Sequence, residues 1–80
     1  MESLTADKIK AHQTVEIVDL DENDTGQRLG EMGFWPGKCI TLILSAPFGD
    51  PLAFEVDNTV IALRKEEAKM IKVKTGTTAA

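Results

Sequence analysis

The sequence predicts a mainly β fold: a small, partly open barrel of about five strands, with one short helix inserted after the first strand and a helical turn before the last. Three observations carry that prediction. Apolar residues recur two apart in short runs, as in Ile40, Leu42, Leu44 and again in Leu52, Phe54, Val56, which is the period of strands with one buried face. The runs are separated by stiff turn pairs, Pro36-Gly37 and Asp57-Asn58, whose residues preset or tolerate the required φ angles. Between Asp24 and Gly33 the chain carries the start and stop signals of a helix.

Taken in order, residues 3–12 read as a lead-in with one short helix-compatible stretch, anchored by Leu4 and Ile9, and with His12 where the chain turns. Residues 14–20 form the first strand, since Val15, Ile17 and Val18 are β-branched and the run ends in the acidic cluster Asp19, Asp21, Glu22, Asp24. Asp24 is the expected N-cap of the helix, with Gln27 completing a capping-box-like pair. Leu29 and Met32 share one face, and Gly33 is the expected left-handed C′ residue. Leu29 at C3 and Phe34 at C″ then make the apolar contact of a Schellman ending.

A second strand follows over residues 38–45, with Ile40, Leu42 and Leu44 directed to the core and Cys39, Thr41, Ile43 and Ser45 away from it. Residues 46–51, with two prolines and a glycine around Phe48, form a loop that presents an aromatic ring at its tip. Leu52, Phe54 and Val56 mark the inner face of a third strand. The fourth, residues 59–63, is too continuously apolar for its faces to be assigned by period. One helical turn over residues 64–69 buries Ala68, and a short last strand over residues 70–74 buries Ile71 and Val73. A single domain is expected over residues 1–80, with an ordered core at about 14–74 and a flexible tail of small residues at 75–80.

Composition restricts the function classes. Cys39 is the only cysteine, so a small domain of this kind is expected in a reducing compartment. Residues 1–10 alternate polar and apolar residues and hold Glu2 and Asp7, a pattern of neither signal nor transit peptides. No apolar run approaches the ~20 residues needed to cross a bilayer, so no direct membrane insertion is expected. A net charge of −4 weakens attraction to phosphate backbones, and nucleic acid is not an expected partner.

Catalytic signals are sparse. His12 and Cys39 lie far apart in sequence and read as an exposed turn residue and a half-buried sheet residue. Gly30 and Gly33 lie late in the helix without the lysine and serine or threonine that continue a phosphate-binding loop. No enzyme activity and no cofactor are expected. Asp19, Asp21, Glu22 and Asp24 offer oxygen ligands but have neither paired histidines nor calcium-loop spacing, so the expectation is at most a weak transition-metal ion, with unassigned ligands.

The stretch from Arg28 through Leu29, Gly30, Glu31, Met32, Gly33, Phe34, Trp35 and Pro36 to Gly37 is followed by Ile40, Leu42 and the loop Ala46-Pro47-Phe48-Gly49-Asp50-Pro51. Ile61-Ala62-Leu63-Arg64, Glu67-Ala68 and Ile71-Lys72-Val73 come after it. This ordered series resembles the FeoA family over about residues 14–74. The resemblance implies an SH3-like barrel in the cytoplasm that assists a membrane-embedded, GTP-driven ferrous iron permease with a nucleotide-binding domain, and it implies no reaction. The same core also ends some metal-responsive repressors, but no helix-turn-helix segment accompanies it here, so a free-standing module is expected. One departure is His12, where family members often carry glycine before the first strand.

Partner-binding candidates are Arg28, Met32, Phe34, Trp35, Phe48 and Arg64. Phe34 turning inward toward Leu29 leaves Trp35 outward, and Phe48 sits on a loop tip; exposed aromatics of this kind are enriched at interface hot spots. The same rings also suit the covering of a small barrel's open ends. Arg28 and Arg64 either make bidentate contacts with partner carboxylates or pair internally with Glu31, Glu66 or Glu67. The function expected is an accessory or regulatory module of ferrous iron uptake. The alternative is a transition-metal-binding or metal-sensing domain of iron homeostasis.

Overall fold

The computed structural model describes residues 4–75. The elements are β1 (Leu4–Thr5), a 3-10 turn (Ala6–Lys8), β2 (Thr14–Leu20), α1 (Asp24–Glu31), β3 (Cys39–Ser45), β4 (Leu52–Val56), β5 (Thr59–Leu63), α2 (Lys65–Ala68) and β6 (Ile71–Lys74). All strand pairs are antiparallel, and the order across the sheet is β1-β6-β2-β3-β4-β5. The strands expected from period and turn chemistry are present, and the fold is mainly β. The difference is at the start: the lead-in is a sixth strand, β1, paired to β6, followed by a turn that buries Ala6 and Ile9. Two residues are too few to show a period.

α1 starts one residue earlier than expected. Asn23 is extended, at φ −149° and ψ −178°, and its side chain accepts the Gly26 N–H at 2.8 Å; Asp24 is already helical, so the Asp24–Gln27 box does not form. The other end follows the sequence. Gly33 has φ +113°, its N–H donates to the Gly30 carbonyl at 3.0 Å, and the Phe34 N–H donates to the Leu29 carbonyl at 3.1 Å, the paired bonds of a Schellman ending. The chain then turns at Pro36-Gly37, where the Lys38 N–H donates to the Trp35 carbonyl at 3.0 Å. The Gly37 N–H donates to the Ile17 carbonyl at 2.7 Å, which docks this turn on β2.

The core joins the alternating residues of the strands to the inner side of α1: Val15, Ile17, Ile40, Phe54 and Ile71 are completely buried, as are Leu29 and Phe34. Phe34 meets Phe54 edge to face, with centroids 6.4 Å apart and planes at 86°, an arrangement that adds about 1 kcal/mol beyond burial of the rings. Leu44 does not join this core. The register between β3 and β4 slips between Leu42 and Leu44, so one extra residue reverses the alternation and Leu44 is 64% exposed. Val18 faces outside by ordinary alternation from Ile17, and a second slip, between Ile17 and Asp19, turns Leu20 rather than Asp19 toward the core. Cys39 is exposed, not half-buried. In β5 the pairing settles what period left open: Leu63 and Ile61 lie opposite Leu52 and Phe54 on the inner face, and Val60 and Ala62 face out.

Candidate partner-binding site

α1 and the residues just after it hold four of the candidates, Arg28, Met32, Phe34 and Trp35, on a helix whose own sequence is a poor helix former. Gly26 and Gly30 lie four apart, and each costs about 1 kcal/mol against alanine in a helix interior, so each needs a compensating contact. A β-carbon on Gly26 would lie 1.8 Å from the Asp21 carbonyl oxygen. The loop after β2 therefore crosses directly over the first turn of α1. A β-carbon on Gly30 would lie 3.3 Å from the Trp35 ring, so the indole rests on the bare backbone of the helix. Leu20, Asp21, Gly26, Gly30 and Trp35 line the resulting groove, of about 560 Å³, with Glu22, Asp24 and Glu31 also on its walls. These two glycines were not recognised as site residues from sequence, although their four-residue spacing in a short helix was the available signal.

The candidates divide between two flanks. Arg28 and Gly30 are two residues apart, which separates them by about 200° around a helix; Trp35 on Gly30 and the Arg28 side chain therefore lie on opposite sides of α1. Arg28 pairs internally: its Nη2 donates to Glu67 Oε2 of α2 at 2.9 Å. Glu67 uses its other oxygen, Oε1, to accept the backbone N–H of Arg64 at 2.8 Å. One carboxylate thus clamps α1 to the start of α2. Met32, about 40° from Arg28 around the helix, is 37% exposed. Arg64 is exposed, and no ion pair among the described residues uses its guanidinium.

Phe34 is completely buried, so it presents no surface to a partner; it fixes the point from which Trp35 projects. Trp35 is 54% exposed and Phe48 is 95% exposed. The Phe48 loop is closed by the Ala46 N–H on the Pro51 carbonyl at 3.1 Å and the Gly49 N–H on the Ala46 carbonyl at 2.7 Å. Asp50 Oδ1 accepts the Lys65 N–H at 3.0 Å, which ties the loop to the start of α2. Phe48, Arg64 and Arg28 are thus linked in series through Asp50 and Glu67, while Trp35 stands apart. His12 is exposed with φ +69°, a conformation suited to glycine.

Among the described residues, no three His, Cys, Asp or Glu side chains converge as metal ligands, so the acidic cluster does not fit a built cation site. No helix among them is long and apolar enough to cross a membrane. Short antiparallel strands wrapped around one core, with a capped helix inserted after the second of them, define a small SH3-like barrel module. The chain belongs to the FeoA family, whose domain matches residues 4–75.

A curated relative, the Fe(2+) transport protein A/Fe(2+) transporter FeoB fusion protein of Porphyromonas gingivalis, is 40% identical over 48 residues, covering 60% of this chain and 6% of that protein. The chain therefore spans a small part of that relative's length. Iron(II) transport protein A from Clostridium thermocellum has the same fold, with a TM-score of 0.85 and 31% identity over 91% of this chain and 46% of that one. FeoA of Stenotrophomonas maltophilia, solved with zinc and described as a procaryotic SH3 domain protein with a candidate role as a ferrous iron transport activating factor, has a TM-score of 0.81 and 27% identity. That match covers 90% of this chain and 91% of the other. Family and fold are those the sequence resemblance implied, and the family is linked to ferrous iron transport.

Proposed function

We propose that this chain is a non-enzymatic accessory module of ferrous iron uptake, which binds the cytoplasmic part of a GTP-driven iron permease and alters its activity. The observation that carries this reading is the fusion in Porphyromonas gingivalis, where a relative of this chain and the transporter FeoB are one polypeptide. Covalent linkage of two modules supports their working in contact. Trp35 is the proposed anchor, since its ring is held on Gly30 yet half exposed and such pre-organised aromatics contribute heavily to binding. Arg64, Met32 and Phe48 are proposed to contact the partner from the other flank, with the Arg28–Glu67 pair holding that flank in place. Pulldown against the permease's soluble nucleotide-binding portion, and against its whole cytoplasmic side, with and without nucleotide, tests the reading. Binding to at least one is expected, and binding to neither rejects it.

The zinc complex of the Stenotrophomonas maltophilia relative favours a second reading, a metal-sensing or metal-carrying domain. Titration of the chain with ferrous or zinc ions separates the two. Affinity no tighter than the millimolar range removes the metal reading.

A further inference from the structure

The groove between α1 and the loop after β2 has walls of a single sign. Asp21, Glu22, Asp24 and Glu31 line its volume of about 560 Å³, and no lysine or arginine is among the lining residues. Glu22, Asp24 and Glu31 are exposed, and their carboxylates enter no ion pair and no side-chain hydrogen bond among the described residues. Asp21 has one cation in reach, Lys72 Nζ at 3.9 Å, while Arg28 is held on the far flank by Glu67.

The carboxylates are spread along the groove. Asp24 and Glu31 are seven residues apart, which puts them on one face of the helix, about 10 Å apart along its axis. Asp21 belongs to the loop that crosses Gly26, and Trp35 sits one turn further on, over Gly30. Among the described residues no three His, Cys, Asp or Glu side chains converge on one point. Such spacing suits separate positive groups carried on one chain better than a single ion. Trp35, 54% exposed, supplies the ring that attracts a guanidinium most strongly. Leu20 and the bare backbone at Gly26 and Gly30 give an apolar floor on which long aliphatic stems can lie.

We propose that the partner segment seated in this groove is basic: an extended stretch of polypeptide that places an arginine against Trp35 and Glu31 and a second basic side chain about 10 Å away, against Asp24 and Glu22. The assignment rests on Trp35 being a partner anchor, as proposed above, and adds the chemistry of what it anchors. Charge complementarity selects the occupant. An acidic segment, a phosphate backbone or an anionic lipid surface meets four carboxylates and is repelled. An apolar helix would bury the same carboxylates without partners, at a cost. Glu31 follows directly on Gly30, where the indole rests, so one guanidinium can lie on the ring and donate two hydrogen bonds to the carboxylate. Lysine at that position keeps the charge and loses both the planar stacking and the paired bonds.

Trp35 is the only tryptophan, so its fluorescence reports the groove directly. The probe is the end-blocked hexapeptide Gly-Arg-Gly-Gly-Arg-Gly, whose arginines lie about 10 Å apart when extended; the same peptide with glutamine for arginine is the control. A saturable change in Trp35 emission is expected with the arginine peptide, at least tenfold weaker with the control, and fading as salt rises from about 20 to about 500 mM. Glu31→Gln and Asp24→Asn are each expected to weaken peptide binding at least threefold. Glu66→Gln, the same loss of charge on α2 away from the groove, should leave it unchanged. An equal response to the two peptides, or none at millimolar peptide, overturns the proposal. Binding of the permease's cytoplasmic side that ignores Glu31→Gln and Asp24→Asn also overturns it, and leaves the partner-binding reading intact. Selective binding of the arginine peptide without any permease binding supports the basic occupant and rejects the permease as its source.

Discussion

Trp35 and Phe48 are both exposed aromatic rings next to a proline, and in sequence they look interchangeable; in the structure they are held in different ways. Trp35 projects from a helix ending fixed by two backbone bonds and lies on the bare surface of Gly30, so its position is set before a partner arrives. Phe48 is 95% exposed, on a loop whose backbone is closed and tied to α2. The lesson is that a ring's fractional exposure says less about its role than what holds it. Ordering a side chain on binding costs about 0.5–1.5 kcal/mol, and the Gly30 seat reduces that cost for Trp35.

The largest effect is expected where the loop after β2 crosses the first turn of the helix that carries the Gly30 seat. Gly26→Ala puts a β-carbon 1.8 Å from the Asp21 carbonyl, a clash with backbone that no rotamer relieves. We expect a loss of at least about 3 kcal/mol in denaturant unfolding, or no folded protein, and a wild-type midpoint would show that the loop over α1 is misplaced. Trp35→Ala is expected to cost about 2 kcal/mol, because roughly half of the ring is covered, and to weaken permease binding at least tenfold while the fold survives. Collapse of the fold, seen as loss of cooperative melting, would make Trp35 a core residue instead.

Gly33→Ala forces a β-carbon onto a residue at φ +113°, with an expected cost of about 1 kcal/mol and a shift in Trp35 fluorescence as the helix ending loosens. An unchanged melting temperature and emission would detach the helix cap from the position of Trp35. Smallest of all is Phe48→Ser: stability should stay within about 0.5 kcal/mol of wild type, since nothing is uncovered. Binding should fall less than for Trp35→Ala. If it falls more, the loop and not the helix ending is the main anchor.

Much of the fold was legible because its signals are local. The Leu29–Gly33–Phe34 ending, the Pro36-Gly37 turn and the inner faces of β4 and β6 follow from residues within one or two turns of each other. What failed was the assignment that depends on partners. Leu44 continues a flawless alternation, yet a slip against β4 puts it outside. The Asp24 cap was displaced by Asn23, a neighbour of equal capping strength whose extended backbone decides the matter. Of the site, the outward course of Trp35 and the tip position of Phe48 were readable. Phe34 as a contact residue was not consistent with its complete burial, and the division of Trp35 from Arg28 came from helix geometry combined with the position of Glu67.

By itself, then, the sequence determined the capped helix, the turns and the period of the strands, because φ preferences and side-chain alternation are properties of short segments. Tertiary structure alone decided that Arg28 meets Glu67 rather than Glu31, that Asp21 lies across Gly26, and that β5 rather than a longer first strand is left at the edge. Those outcomes depend on which distant segments come to lie side by side, and that is settled only when the core closes and the strands choose their neighbours.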